Sequence, residues 1–153
     1  MRVILIRHGD AVSSMVSFDD RARYLSDAGR RQAAATGQAL AARGVTPSQV
    51  WCSPLVRAVQ TAELIVATLG FEGAVAARDD LFPDSPIESL ARALAQLDDD
   101  EQIVVVGHQP FMSAAASELL GCSVGGFVTG AACCLRVKGL FPHQAELEWR
   151  WPH

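Results

Sequence analysis

Lysine is almost absent from this chain of 153 residues, since Lys138 is the only lysine among 13 basic side chains. The formal net charge is −4, and binding to a nucleic-acid backbone needs clustered basic residues, so we do not expect nucleic acid as a partner. The other basic residues are arginines, whose planar guanidinium groups bind phosphate or carboxylate oxygens in pairs. This composition favours recognition of individual anions.

The sequence also lacks an apolar run of about 18 residues, the length that a membrane helix needs. The apolar stretch at residues 3–6 is too short for a signal peptide, so we expect a cytoplasmic protein with no membrane partner. The four cysteines form no Cys-x-x-Cys pair, which predicts free thiols, and we expect neither a metal nor another cofactor. Half of the residues are hydrophobic and 20% are charged, which is typical of one globular domain over residues 1–153.

Strand and helix patterns alternate along the chain. Short aliphatic runs at 3–6, 50–52 and 103–106 are typical of strands buried on both faces, and two more strands are predicted at 132–137 and from Ala145. Four helices are predicted, with N-caps at Ser26 and Ser53, a capping box from Ser85 to Glu88, and a last helix that opens at Pro110. The order β-α-β-α-α-β-α-β-β predicts an α/β fold, a single three-layer domain with a mainly parallel sheet and helices on both faces.

The residues that directly follow the strands are the candidates for a functional site, because ligands of parallel sheets bind beyond the carboxyl ends of the strands. Three separate strand ends supply such residues: Arg7, His8 and Gly9; then Arg57; then His108 and Gln109. Two helix N-termini are predicted at the same edge, where their free N–H groups favour an anion. A neutral imidazole is a competent nucleophile near pH 7. The pattern therefore predicts a dianion site suited to phosphoryl transfer.

Three blocks of sequence resemble the histidine phosphatase superfamily, which is phosphoglycerate mutase-like. They are Arg7-His8-Gly9, Ser53-Pro54-x-x-Arg57-Ala58-x-Gln60-Thr61 and Gly107-His108. The short length, Arg7-His8-Gly9-Asp10-Ala11 and Leu25-Ser26-Asp27-Ala28-Gly29 are similar to its SixA-type phosphohistidine phosphatase branch.

The resemblance implies a role for each matching residue. His8 is the residue that becomes phosphorylated, while Arg7, Arg57 and His108 hold the phosphoryl group, and members of this kind need no metal. We assign Gly9 and Gln109 to the phosphate-binding set as well. Asp10 is expected to bond local backbone or to orient Arg7.

Superfamily members that cleave phosphate esters usually carry a carboxylic acid in the loop before the third helix. Pro83 lies about where that acid would be, which leaves Asp80 and Asp84 as candidates, while Glu88 is already explained by the capping box. An imidazole leaves far more readily than an alkoxide and does not need such an acid. The predicted function is therefore removal of the phosphoryl group from phosphohistidine in proteins.

Two alternatives stay open at this point. One is a phosphatase, or a mutase-type transferase, that acts on small phosphate esters, and the other is an inactive domain that only binds a phosphorylated protein. The loop from Ser13 to Tyr24 carries Asp19, Asp20, Arg21 and Arg23, which we interpret as solvated.

Overall fold

The computed structural model describes residues 1–138 and 145–152. Its six strands are β1 (Arg2–Arg7), β2 (Gln49–Cys52), β3 (Val75–Ala77), β4 (Gln102–Gly107), β5 (Ala132–Val137) and β6 (Ala145–Trp151). Its four α-helices are α1 (Asp27–Ala42), α2 (Val56–Leu69), α3 (Ile87–Leu94) and α4 (Phe111–Leu120). Two short 3-10 turns lie at Asp20–Ala22 and Asp79–Leu81.

The strands form one sheet in the order β3-β2-β4-β1-β5-β6. The first four strands are parallel, while β5 and β6 run antiparallel to their neighbours. The predicted α/β fold with a mainly parallel sheet is confirmed. The sequence analysis missed β3, because this strand of three residues at the sheet edge is largely exposed and has no apolar run.

The alternating side chains of β1 divide the core between the two faces of the sheet, as a strand period of two requires. Val3 and Leu5 pack with buried residues of α3 and α4. Ile4 and Ile6 pack with buried residues of α1 and α2. Helices therefore cover both faces, as predicted.

The helix starts agree only partly with the predicted caps. Ser26 does cap α1, since its Oγ accepts a hydrogen bond from the N–H of Gly29 at 3.1 Å. The cap at Ser53 is wrong: the chain stays extended at Leu55, α2 begins at Val56, and Ser53 Oγ accepts only from the N–H of Leu55, at 3.4 Å.

The capping box from Ser85 to Glu88 is wrong as well. The chain is still extended at Pro86, and none of the side chains that the structure describes caps α3. Ser85 instead donates its hydroxyl to the carbonyl of Asp79 at 3.4 Å, and the Glu88 side chain is exposed. Helix α3 ends at Leu94.

The crevice between β1 and β4 is where the sheet topology favours a ligand. These two strands are neighbours, and Arg7 pairs with Gly107 at their carboxyl ends. The chain leaves β1 through α1 toward β2, and it leaves β4 through α4 toward β5 on the opposite side. Adjacent strands whose connections leave in opposite directions form a topological switch point, which opens a crevice at their carboxyl ends.

Candidate active site

His8 stands directly at the end of β1. Its backbone N–H donates to the carbonyl of Gly107 at 2.9 Å, which continues the pairing of β1 with β4 for one more residue. The ring Nδ1 lies 2.6 Å from the carbonyl oxygen of Gly9. Because a carbonyl oxygen can only accept, Nδ1 carries the proton in this hydrogen bond. The neutral ring therefore keeps its lone pair on Nε2, which is the form that a nucleophile needs.

Both histidines of the crevice are neutral at pH 7. Burial lowers the pKa of His8 to about 4, the Gly9 hydrogen bond opposes this, and the positive charges of Arg57 and Arg7 lower the pKa further. Burial also lowers the pKa of His108 to about 3, with further lowering by His8 and Arg57.

His108 and Arg7 bring polar nitrogens into the crevice without protein partners. Both ring nitrogens of His108 and the Nε of Arg7 are buried, and within residues 1–138 and 145–152 they make no hydrogen bond. An unpaired buried polar group costs about 1–3 kcal/mol, so such groups usually mark a ligand site. An oxyanion offers the acceptors that the N–H groups in this set require.

The Arg7 side chain is held by the segment between α4 and β5. Its Nη1 donates to the carbonyl of Phe127 at 2.7 Å. The backbone N–H of Gly130 bonds to the carbonyls of Arg7 and His8, at 3.1 Å each. These contacts do not use Nε of Arg7, which is buried and has no partner within the described residues. Nε therefore remains available to a ligand.

Arg57 is the second residue of α2, and only 5% of it is exposed. Its guanidinium is paired with the loop after β1: Nη1 donates to the backbone carbonyl of Asp20 at 2.7 Å, and Nη2 to the Asp20 carboxylate at 3.1 Å. Arg23 also contacts that carboxylate, at 2.9 Å, and donates from Nε to the carbonyl of Val12. The interpretation of the loop as solvated is confirmed for Asp19, Asp20 and Arg21, which are exposed, whereas Arg23 is half-buried. The sequence did not predict that the Asp20 side chain also contacts Arg57.

Gln60 and Thr61 explain why the second block of the motif extends beyond Arg57. Thr61 Oγ1 accepts from the N–H of Gly9 at 3.1 Å, and Gln60 Oε1 accepts from the N–H of Leu25 at 2.8 Å. Both side chains of α2 thus hold the segments that flank His8 and α1. The N–H of Gly9 is used in this hydrogen bond, and the assignment of Gly9 to the phosphate-binding set stays a prediction.

Gly9 is required for close packing. A Cβ at Gly9 would lie 2.4 Å from the carbonyl oxygen of Gly29, and a Cβ at Gly29 would lie 1.9 Å from the carbonyl oxygen of Asp10. The two glycines let the segment after His8 lie directly against the first turn of α1. They fix the position of the segment that follows His8 through backbone contact.

Gln109 and Asp10 are engaged in holding helix starts. The amide oxygen of Gln109 accepts from the N–H of Ser113 at 3.1 Å and so caps α4, which leaves its amide nitrogen for the predicted phosphate contact. The Asp10 carboxylate accepts from the hydroxyl of Ser26 at 2.5 Å, at the start of α1. Within the described residues the Asp10 carboxylate bonds to the Ser26 side chain and not to the backbone. Burial lowers the pKa of Arg7 and the charge of Asp10 opposes this, while the expected role of Asp10 in orienting Arg7 stays a prediction.

The carboxylates before α3 are poorly suited to proton donation. Asp80 receives both Nε and Nη2 of Arg78, at 2.9 and 2.6 Å, and this pairing holds the pKa of Asp80 below its usual value. Asp84 and Glu88 are exposed, and Pro83 is half-buried. Because Asp80 is ionised and accepts two hydrogen bonds from Arg78, its carboxylate has no proton to donate at neutral pH.

The part of the chain that the structure describes shows neither a group of metal ligands nor a helix that could cross a membrane. There, no three side chains of His, Cys, Asp or Glu are grouped so that they could hold a metal ion. None of the helices there has the length and apolarity that crossing a membrane requires. His143 and His153, to which no role is assigned, lie outside the described residues.

Sequence reasoning missed two groups that contact the candidate residues. Asp20 is one, and an acidic residue in a polar loop gives no sign that it reaches an arginine 37 positions later. The carbonyl of Phe127 is the other, and no sequence pattern marks a main-chain acceptor. The role of Thr61 could have been found, because it belongs to the same block as Arg57.

A family model and curated proteins each match about half of the chain. The model of the histidine phosphatase superfamily (branch 1) matches residues 3–81. The mitochondrial serine/threonine-protein phosphatase Pgam5 of Drosophila grimshawi is 40% identical over 72 residues, which are 47% of this chain and 24% of that protein. Pgam5 of Drosophila melanogaster is 36% identical over 70 residues, 46% of this chain and 24% of that protein. The match thus spans about a quarter of the length of these relatives.

Solved structures resemble the whole chain. The protein histidine phosphatase SixA complexed with tungstate superposes with a TM-score of 0.90 at 24% identity, over 98% of this chain and 96% of that one. The SixA protein of Nakamurella multipartitia has a TM-score of 0.75 at 27% identity, over 97% of this chain and 94% of that one. Because the family model covers just over half of the chain, the chain belongs to the histidine phosphatase superfamily.

Proposed function

We propose that this protein is a phosphatase in which His8 accepts a phosphoryl group and passes it to water, with phosphohistidine in proteins as the substrate. One observation carries the proposal. The Nε2 of His8 keeps its lone pair, because Nδ1 is bound to the carbonyl of Gly9, and the His8 ring lies 4.9 Å from the His108 ring between centroids. The two ring nitrogens of His108 and the Nε of Arg7 are buried and have no hydrogen-bond partner within the described residues. A nucleophile and donors for the transferred oxygens share one buried crevice.

The first step moves the phosphoryl group onto His8. The Nε2 lone pair forms a bond to phosphorus while the bond from phosphorus to the substrate imidazole breaks, and that electron pair leaves with the imidazole, which takes a proton from water. The proton stays on Nδ1 and donates to the Gly9 carbonyl oxygen, which stabilises the positive charge that the His8 ring gains. Arg7, Arg57 and His108 stabilise the charge on the three phosphoryl oxygens.

The second step returns the enzyme to its starting state. A water oxygen bonds to phosphorus, the bond to Nε2 breaks, and its electron pair returns to His8. The water gives up one proton to solvent, so that the products are inorganic phosphate and neutral His8. A dianion in the crevice also raises the pKa of His108, which then donates to a phosphoryl oxygen.

Two features support phosphohistidine as the substrate class. An imidazole leaving group needs little help from an acid, and Asp80 is held ionised by Arg78. The loop after β1 carries the exposed apolar side chains of Met15, Val16 and Phe18 close to Asp20, which contacts Arg57. Exposed apolar side chains at a pocket mouth suit a protein partner better than a small ester.

A second substrate class is favoured by the curated relatives. Pgam5 proteins are named serine/threonine-protein phosphatases, and their substrates are phosphate esters with an alkoxide leaving group. Ester cleavage by this chain would require a proton donor, for which exposed Asp84 is the remaining candidate of the pair Asp80 and Asp84.

The phosphoenzyme is the direct test of the mechanism. Enzyme mixed with a histidine-phosphorylated protein and quenched with alkali should carry acid-labile phosphate on His8, located by mass spectrometry. His8→Ala should lose turnover, because the nucleophile is gone, and should still bind inorganic phosphate through Arg7, Arg57 and His108. Stable label on any other residue would overturn the mechanism.

The substrate class is tested by comparing kcat/KM for phosphohistidine, an aryl phosphate and an alkyl phosphate. General acid catalysis contributes about 10²–10⁴-fold, so we expect a preference of about that size for phosphohistidine over the alkyl ester. Aryl phosphates should lie in between. If alkyl esters react as fast as phosphohistidine, and Asp84→Asn or Asp80→Asn removes only that activity, the protein is a general phosphomonoesterase.

A further inference from the structure

The guanidinium of Arg57 is occupied by the protein itself. Each terminal nitrogen uses one of its two N–H groups: Nη1 donates to the backbone carbonyl of Asp20 and Nη2 to its carboxylate. We propose that Asp20 is an internal competitor of phosphate, whose carboxylate holds Arg57 Nη2 in the free protein and is displaced when a phosphoryl group binds Arg57 through both terminal nitrogens. The inference rests on the proposed role of Arg57 in phosphate binding.

The two partners differ in their freedom to move. The Arg57 side chain is only 7% exposed and sits in the first turn of α2, whereas the Asp20 side chain is 62% exposed and sits in a 3-10 turn of three residues. Displacement therefore moves Asp20 toward solvent and leaves Arg57 in place. Because the Asp20 carboxylate is largely exposed, water can solvate it as it leaves Arg57, and the pair can exchange for a dianion.

The residues around Asp20 hold its carboxylate in position. Asp19 caps the 3-10 turn by accepting from the N–H of Arg21, and the Arg21 guanidinium lies 5.4 Å from the centroid of the Phe82 ring. Arg23 bonds to the second carboxylate oxygen of Asp20 at 2.9 Å. Asp20 thus keeps one cationic partner when it releases Arg57, which lowers the cost of the exchange.

Asp20 is charged while it competes. Partial burial raises its pKa, but hydrogen bonds from Arg23 and Arg57 outweigh this and hold the pKa below its usual value. A carboxylate and a phosphate dianion on one guanidinium repel each other, because like charges a few ångströms apart interact strongly where water is partly excluded. The same repulsion lets Asp20 return and expel inorganic phosphate once hydrolysis is complete.

Binding of inorganic phosphate, measured by calorimetry, tests the proposal with a matched pair of variants. Asp20→Asn removes the competing charge and keeps the shape, so phosphate should bind about tenfold more tightly than to the wild type. Asp19→Asn removes the same charge one residue away, and within the described residues the Asp19 carboxylate bonds to Arg21 N and not to Arg57. We expect less than about a twofold change in this control.

Arg57→Ala distinguishes a failure of the proposed competitor role of Asp20 from a failure of the proposed phosphate-binding role of Arg57. Weaker phosphate binding by Arg57→Ala, together with unchanged or weaker binding by Asp20→Asn, would overturn the competitor and leave the phosphate site intact. Phosphate binding that does not respond to Arg57→Ala would remove Arg57 from the proposed site itself.

Limited proteolysis of the wild type gives a readout without any variant. Trypsin cleaves after Arg21 and Arg23, and release of Asp20 should loosen this segment. Saturating phosphate should therefore speed cleavage at these two positions, although ligands ordinarily protect. Protection of both positions by phosphate would contradict the proposal.

Discussion

The imidazole rings of His8 and His108 lie 4.9 Å apart between centroids, and their planes are tilted by 58°. The pairing of Arg7 with Gly107 in β1 and β4 places the two rings side by side, since each follows its strand by one residue. Two imidazoles at this distance in a buried crevice disfavour protonation of each other. The neutral ring of His8 can therefore serve as a nucleophile. An anion bound beside the ring of His108 would raise the pKa of His108.

The free energy of unfolding should rise between about pH 4 and pH 6.5 in the protein without ligand. His8 and His108 have folded-state pKa values of about 4 and about 3, against 6.5 for the unfolded chain. In that pH range the unfolded chain binds protons that the folded chain does not, so stability is lost as the pH falls. Each histidine contributes up to about 1.4 kcal/mol per pH unit, measurable by urea unfolding.

His108→Asn is the control for this pH dependence. It removes one of the two titrating rings and should reduce the slope to about half over the same range. Carboxylates with lowered pKa values, such as Asp20 and Asp80, add stability that is lost only below their normal pKa of 3.8. A wild-type stability that does not change from pH 5 to pH 6.5 would contradict the buried neutral state of both rings.

Arg57→Lys should reduce kcat by about 10²-fold or more although the positive charge is retained. A lysine offers one point charge, whereas the guanidinium spans two oxygens in a plane, and this difference matters most as charge shifts in the transition state. We expect KM to rise less than kcat falls. Exposed Arg31, changed to Lys, is the matched control and should leave both constants unchanged. A near wild-type kcat in Arg57→Lys would place Arg57 outside the reacting site.

Gly29→Ala should destabilise the protein, although the same change at an open helix position stabilises by about 1 kcal/mol. The new Cβ would lie 1.9 Å from the carbonyl oxygen of Asp10, and both partners are backbone, so neither can rotate away. We expect a loss of about 1–3 kcal/mol in the free energy of unfolding, as for other overpacked sites. Activity should fall as well, because the displaced backbone begins two residues after His8. A variant as stable as the wild type would show that the backbone can move away from the new Cβ at little cost in free energy.

The parts of the fold that follow from local pattern could be predicted from the sequence. Aliphatic runs gave β1, β2 and β4, and the rule that ligands bind at strand carboxyl ends selected Arg7, His8 and His108. Ser26 was identified as a cap because nothing intervenes between it and α1. The caps at Ser53 and Ser85 failed because the chain stays extended for one or two further residues after each serine, which moves the helix start beyond reach.

The contacts that could not be predicted are those made across the fold by groups without a local signature. Asp20 reaches Arg57 only because the loop after β1 lies over the first turn of α2. The assignment of Gln109 to the phosphate-binding set stays a prediction, since its amide oxygen caps α4 while its amide nitrogen remains for a phosphate contact. For Asp20, tertiary structure decides which group the side chain contacts.

Phe18→Ala should separate protein substrates from small ones. Phe18 is 96% exposed and stands two residues before Asp20, so its ring can contact a docked protein but lies outside the buried crevice. We expect kcat/KM to fall about tenfold for a protein phosphorylated at histidine by phosphoramidate, since burial of a large apolar side chain contributes about 1.5–3 kcal/mol. Turnover of free phosphohistidine should not change, because the amino acid is too small to cover this loop. Leu147→Ala, which removes an exposed apolar side chain from β6 at the edge of the sheet, is the matched control and should affect neither substrate. Equal losses on both substrates would mean that Phe18 acts through the position of Asp20, and no loss on either would remove the loop from substrate recognition.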